Sequence, residues 1–291
     1  MPRIITPRLI PALLSIAFAG AASASGFQLY GEQGASGIGK AGAGSAAVAE
    51  NASTVYYNPA GMTQLPQYAI SAGGTAVYTS FEFSNDGSQV AGFNNSGTGG
   101  NAGGWGFVPN GYGSMALTKD VYIGLGVGAP FGLATAYNTP WIGSPQPTSF
   151  EIKTLNINPS IAWRATEWVS LGAGLNVQKV DATYKRAAGT DGLPAGIVNG
   201  QVVRYPNGLL PNTPVKLTLD DWSWGWNVGA LFTLAPQTKI GLAYRSKVKY
   251  ETSGIVNANG PSVQVNAASS SNISADIDMP DTFVISLSQG I

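Results

Sequence analysis

A chain of 291 residues with 15 basic and 15 acidic side chains has no net charge, and only 10% of its residues are charged, against roughly 25% in soluble domains. It contains no Cys and no His, which excludes thiolate chemistry, disulfides and imidazole as general base or metal ligand, and the balanced charge leaves no basic face for nucleic acid. With 39 Gly, 10% aromatics and no apolar run of about 18 residues after residue 24, helical spans are disfavoured and a membrane β-barrel is favoured, a soluble all-β protein remaining open at this level.

Residues 1–24 have the form of a secretory leader. Arg3 and Arg8 supply the positive start, Leu9 to Ala22 the apolar run, and Ala22-Ser23-Ala24 the small-residue cleavage signal. Cleavage is expected after Ala24. Residues 25–66 form the next unit, rich in Gly, Ala and Ser and ending in Tyr56-Tyr57-Asn58-Pro59-Ala60-Gly61-Met62. They lack strand alternation and hold too few large apolar residues to fold alone, so the unit is expected to be a plug with a wall around it. Gly37 to Gly42 fits G-x-G-x-x-G and Gly34 to Lys40 the start of a phosphate-binding loop. Those motifs need a buried strand before them and a helix after, and Ala41 stands where Ser or Thr would hold magnesium. Packing of small residues in the plug is the preferred explanation.

From residue 67 onward the chain alternates. The strand candidates are 67–83, 105–117, 121–128, 154–163, 168–184, 222–234, 239–250 and 277–287. The clearest is 121–128, with Val121, Ile123, Leu125 and Val127 on one face and Tyr122, Gly124, Gly126 and Gly128 on the other. Ala129-Pro130-Phe131-Gly132 then interrupts it, since Pro cannot donate to a ladder. In 222–234, Trp222, Trp224, Trp226, Val228 and Phe232 share one face, and Ser223, Gly225, Asn227 and Gly229 the other.

Connections 118–120, 164–167 and 235–238 are short, whereas 84–104, 134–149, 187–220 and 251–276 are long. Short turns at one end and long loops at the other, with strands long enough for the ~9–11 residues of a tilted span, predict an all-β transmembrane antiparallel barrel. A soluble sandwich would also alternate, but would not sort its loops this way or set Gly and Asn opposite a greasy face so often.

The blocks Gly26-Phe27-Gln28-Leu29, Ser36-Gly37-Ile38-Gly39-Lys40-Ala41 and Asn58-Pro59-Ala60 resemble the N-terminal hatch of the long-chain fatty acid transporter family of Gram-negative outer membranes. Some members of that family resemble uptake channels for aromatic hydrocarbons. Further blocks follow in the family's order: Phe131 to Thr135, Leu155 to Ser160, Trp224 to Gly229 and Ala243 to Val248. The resemblance implies a fourteen-stranded barrel plugged by a hatch, with about eight strands present over 67–291. The chain is therefore expected to be an incomplete product, because eight strands enclose room for side chains only and could not surround the plug.

The same resemblance nominates site residues. Phe27 is implied to reach a ligand pocket, or simply packs plug against wall. Asn58, Pro59 and Ala60 are implied to touch a kinked third strand beside a lateral opening, which makes them, with Pro130, Phe131 and Gly132, the expected gate; an ordinary Asn-Pro turn is the plainer account. Arg186 follows Asn176 by the spacing of a family arginine that meets the fatty-acid carboxylate, and one guanidinium in an apolar pocket suits that contact; otherwise it is a solvated rim charge beside Lys185. Leu209 and Leu210, in an unusually apolar loop, are implied to help capture ligand. Asp220-Asp221 and Asp276/Asp278 stand among Ser and Asn with no ligand-rich loop, so they are taken as solvated.

The expected protein is an outer-membrane channel for hydrophobic small molecules, monomeric, surrounded by outer-membrane lipid, with no nucleic acid, metal or cofactor. The proposed steps are capture by apolar outer loops, residence in a pocket, and hatch-controlled lateral release near Pro130. The alternative is a structural or adhesive barrel whose plug never opens. An outer-membrane enzyme lacks a His-based site.

Overall fold

The computed structural model describes residues 27–90, 96–188, 194–198, 201–204, 213–258 and 271–289. The leader with its cleavage point, Leu209 and Leu210 lie outside them.

The wall is one antiparallel sheet. Its strands are β1 (Tyr68–Tyr78), β2 (Trp105–Ala116), β3 (Val121–Gly128), β4 (Gly132–Ala136), β5 (Pro147–Arg164), β6 (Val169–Ala188), β9 (Thr213–Ala235), β10 (Thr238–Arg245), β11 (Val248–Ala258), β12 (Ser271–Met279) and β13 (Thr282–Gln289). A separate hairpin joins β7 (Pro194–Val198) to β8 (Gln201–Arg204). The main order is β1-β2-β3-β5-β6-β9-β10-β13, with β4 continuing the line of β3 along β5, and β11 and β12 continuing β10 and β13. The described residues thus make eight passes. Tight turns between passes are held by hydroxyls: Thr118 Oγ1 accepts from the Val121 N–H and Thr166 Oγ1 from the Val169 N–H.

Two passes differ from expectation. The candidates 239–250 and 277–287 were each a single strand, yet each breaks, at Ser246-Lys247 and at Pro280-Asp281. Pro280 has no N–H to give a ladder. Opposite the other break, Ser246 Oγ accepts the Trp226 N–H at 2.9 Å, and Asp221 Oδ2 accepts the Glu251 N–H at 3.0 Å. Side chains there do what backbone does elsewhere.

The strands are also longer than expected. β9 has 23 residues, about 75 Å at ~3.3 Å each, roughly twice what a tilted span needs. Its lower part carries Trp222, Trp224 and Trp226 outward, Trp224 being 67% exposed. Above Asp221 the pattern inverts: Lys216, Thr218 and Asp220 face out while Val215, Leu217 and Leu219 are buried inside. β6 does the same, with Leu171 and Leu175 outward below, and Lys179 paired to Asp181 outward above Val180 and Ala182. The lower wall is greasy outside and small or polar inside, which suits hydrocarbon; the upper wall is polar outside and greasy inside, which suits water outside and an apolar interior. No helix among the described residues is long and apolar enough to cross a membrane.

Residues 27–66 lie on the inner face. They hold α1 (Ala35–Gly39), α2 (Thr54–Tyr57) and 3-10 turns at Gly31–Gln33 and Pro59–Gln64. One short segment reaches both ends of the sheet: the Ala52 N–H donates to Ser71 on β1 and the Ala46 N–H to Ser286 on β13. The sheet must therefore curl around it. Val55, Tyr56, Tyr57 and Met62 pack with Tyr112, Tyr122 and Ala162 of the wall into one buried cluster.

Candidate functional site

The bare inner face is a set of sockets. A methyl group on Gly229 would overlap the Asn58 amide, and one on Gly172 would overlap the Pro59–Ala60 backbone. Glycine permits that close approach of two chains. Asn58 uses its whole amide there: Nδ2 donates to the Ala46 carbonyl at 2.6 Å and the Ala230 carbonyl at 3.1 Å, while Oδ1 accepts the Ala60 N–H at 3.1 Å. Thr63 Oγ1 lies 2.7 Å from Ser170 Oγ. Asn58, Pro59 and Ala60 thus dock on β6 and β9. This corrects the expectation that they meet the kinked third strand; the glycines able to receive them lie elsewhere on the wall.

The kink has other partners. β3 stops at Gly128 and β4 begins at Gly132, leaving Ala129, Pro130 and Phe131 between them. Their carbonyls need donors, and the N-terminal arm provides them. The Leu29 N–H donates to Pro130 C=O at 2.8 Å, and Gln33 Nε2 donates to Ala129 C=O at 2.7 Å and Leu29 C=O at 3.0 Å. Gln33 is fully buried and receives the Tyr112 hydroxyl on its own carbonyl at 2.8 Å. Gln28 forms an isolated bridge with Phe131 and donates from Nε2 to Thr282 Oγ1 at 2.9 Å, where β13 begins after the Pro280 break. Gln28 thereby joins two interruptions of the wall. Sequence reasoning missed Gln28 and Gln33; a polar residue beside the Phe27 anchor was the available signal.

Beside the kink the wall has a window. β2 pairs with β3 only from Asn110 to Ala116, and β4 pairs with β5. Residues 105–109 of β2 and all of β4 therefore face each other without ladder pairing. The strands meet again above, where the Ala136 N–H donates to Ala102 C=O at 2.8 Å. A cavity of about 900 Å³ opens at this window, lined by Phe27, Leu29, Phe107, Phe131, Leu133 and Ile152 among others. The charged side chain on it is Lys153, mostly exposed and paired with Glu151. Pro130 and Gly132 flank Phe131 at its edge, so the expected gate residues divide: Pro130, Phe131 and Gly132 are at the window, Asn58, Pro59 and Ala60 are not.

Phe27 packs against Phe150, ring centroids 6.1 Å apart, beside the apolar cluster of the upper wall. Arg186 stands higher, in register with Pro147 and Val215, on the inward parity of β6, with Nε buried and unpaired. It does not line the 900 Å³ cavity. Asp220, Asp276 and Asp278 are exposed on outward positions, and among the described residues no group of three or more acidic side chains is placed to hold a metal. Among the described residues the glycine-rich run around Gly37 has no strand before it, and Gly37 packs under the Tyr57 ring, so the context a phosphate loop needs is not present there.

A second inward arginine was not singled out from the sequence. Arg245 ends β10, is 9% exposed, and lies over the Tyr56 ring at 4.2 Å. It donates to Tyr56 C=O at 2.9 Å and to Asn176 Oδ1. Burial pushes the Tyr56 hydroxyl up to about 12, with Arg245 pulling the other way, so the phenol is a neutral donor. A single charge on the small-residue side of a strand was the sequence signal for Arg245.

Several comparisons bear on this architecture. The family model described as outer membrane protein transport protein (OMPP1/FadL/TodX) matches residues 15–289. Outer membrane protein P1 of Haemophilus influenzae is 33% identical over 253 residues, covering 79% of this chain and 55% of that protein. The long-chain fatty acid transport protein of Escherichia coli K12 is 31% identical over 245 residues, covering 79% and 53%. The chain spans about half the length of these relatives. The crystal structure of a Pseudomonas aeruginosa FadL homologue superimposes with a TM-score of 0.72 at 18% identity, covering 91% of this chain and 66% of that one, a likeness of fold. The chain belongs to the OMPP1/FadL/TodX family of outer-membrane transport proteins.

Proposed function

We propose that the protein carries hydrophobic small molecules passively through the outer membrane, and that residues 25–66 are a hatch controlling their exit. The observation that carries this is the 900 Å³ cavity opening through the unpaired stretch between β2 and β4. An apolar ligand gains about 25 cal/mol per Å² removed from water, so such a cavity holds it with few polar contacts. Ligand enters through the apolar interior of the upper wall, where Leu209 and Leu210 belong to the capturing loop. It rests beside Phe27, then leaves sideways into lipid when the arm at Leu29 and Gln33 releases the Ala129–Pro130 kink. Asn58, Pro59 and Ala60 anchor the hatch so that the arm alone moves. The substrate is a long-chain fatty acid, with Arg186 meeting its carboxylate at the outer end; an aromatic hydrocarbon would use the same cavity without Arg186. The protein works as a monomer.

The test is uptake of a labelled C16 fatty acid and of labelled toluene by cells lacking their own transporter. The full-length protein should raise the uptake of at least one. Ala134→Trp, which fills the window, should abolish that gain at unchanged folded amount in the membrane. No gain with the unaltered protein would favour a structural barrel with a fixed plug.

A further inference from the structure

We propose that Arg245, Asn227 and Tyr56 form a second anion site, deep between hatch and wall, which takes the carboxylate of the ligand. The inference rests on the acid-substrate reading above, but it concerns residues distant from Arg186 along the barrel: Asn176, which Arg245 grips, lies ten positions below Arg186 on β6.

The argument is a count of donors. A guanidinium has five N–H groups and no acceptor, and it stays charged. Arg245 is buried, and its resolved acceptors are one amide oxygen of Asn176, one carbonyl of Tyr56 and the face of the Tyr56 ring. The ion pairs found among the described residues are Lys–Glu or Lys–Asp pairs, none with Arg245. A buried charge lacking its counter-charge is costly. Two further donors nearby are unused: the Tyr56 hydroxyl and Asn227 Nδ2 are both buried without hydrogen-bond partners. Asn227 is the direct register partner of Arg245, and its Oδ1 is occupied, accepting from Asn158 Nδ2 at 3.0 Å and Asn176 Nδ2 at 3.1 Å. That pair of bonds turns its unused NH₂ away from Asn158 and Asn176.

Arg245, Asn227 and Tyr56 line one small cavity of about 10 Å³, together with Tyr30 and Thr282. That is room for one water or one oxygen atom. An excess of donors around a fixed cation suits an anion, and the vacant space admits one carboxylate oxygen, so the rest of the group must displace an atom of the hatch. A structural arginine would have no use for the two idle donors. As the carboxylate binds, it competes with Tyr56 C=O for the guanidinium. Tyr56 lies in the last turn of α2, two residues before the Asn58 anchor, so occupancy of this site frees the α2 turn from Arg245 while Asn58 stays docked.

The test uses the folded full-length protein, palmitate and methyl palmitate, and two conservative variants. Tyr56→Phe removes only an unpaired hydroxyl and keeps the ring under Arg245. Asn227→Asp places a resident carboxylate beside the guanidinium at unchanged size. Each is also made in an Arg186→Ala background, where the outer arginine no longer contributes. Titrations there should show palmitate preferred over the ester, with Tyr56→Phe lowering palmitate affinity about tenfold, Asn227→Asp abolishing the preference, and ester affinity unchanged in both. If the Arg186→Ala protein still prefers palmitate but neither variant alters that preference, the deep site is wrong while the acid substrate stands. If the unaltered protein binds acid and ester alike, both fail.

Discussion

Arg186 projects into an apolar interior with Nε buried and unpaired, and an anion placed there is costly unless it meets such a partner. Arg186→Ala is therefore expected to weaken a fatty acid by about 2–5 kcal/mol and its methyl ester much less. Isothermal titration with both ligands checks this; equal losses would reject a carboxylate role for Arg186. Residues of this kind were only half legible in the sequence. Arg186 could be named because its spacing from Asn176 matched a family pattern. Arg245, Gln28 and Gln33 could not, because their meaning comes from what they face. Gln33 matters because Pro130 interrupts a ladder ninety-odd positions away and leaves the Ala129 carbonyl to be satisfied. Asn58-Pro59-Ala60 was expected to be part of the gate beside the kinked third strand, whereas it docks on β6 and β9. A resemblance can mark a segment without giving its register against the wall.

At the level of elements, the alternation over 121–128, 168–178 and 222–232 was visible because one parity is large and apolar and the other nearly bare. What looked like a run of small residues for its own sake is a row of sockets for residues 27–66. Gly229 is the sharpest case, since a methyl there runs into the Asn58 amide that ties Ala46 to Ala230. Gly229→Ala should cost about 1–3 kcal/mol and should expose the hatch more than the wall. Hydrogen exchange is the check: amides of residues 46–63 should lose protection while β5 and β6 keep theirs. Equal protection in variant and parent would mean the socket is not a socket. The upper strand ends escaped notice for a related reason. Above Asp221 the apolar residues move to the inward parity and the charges to the outward one, so a search for greasy-out alternation ends too early. The break near Ser246 also escaped, because Ser246 and Asp221 replace the missing backbone bonds with side-chain ones that leave no strong pattern, whereas Pro280 was a strand-breaking signal that went unused.

At the scale of the molecule, the sheet, the inner segment 27–66 and the window meet at one place. The wall curls because one segment must touch β1 and β13 together, and it is open where Pro130 ends β3 and β4 turns to β5 alone. Three features then coincide: an apolar cavity, a stretch of wall without ladder bonds, and an N-terminal arm whose Leu29 and Gln33 supply the kink's missing donors. The central claim is that ligand crosses at this place. Because the chain has no cysteine, a cysteine pair introduced at Gly106 and Ala134, which both line the cavity, can be bridged without ambiguity by reducible bis-methanethiosulfonate reagents of graded length. The decisive measurement is uptake of labelled fatty acid or toluene through the bridged full-length protein, before and after cleavage of the bridge. Lateral exit predicts that uptake falls to the level of cells without the protein when bridged and returns when the bridge is cut; uptake through the bridged protein at the unmodified rate would contradict it.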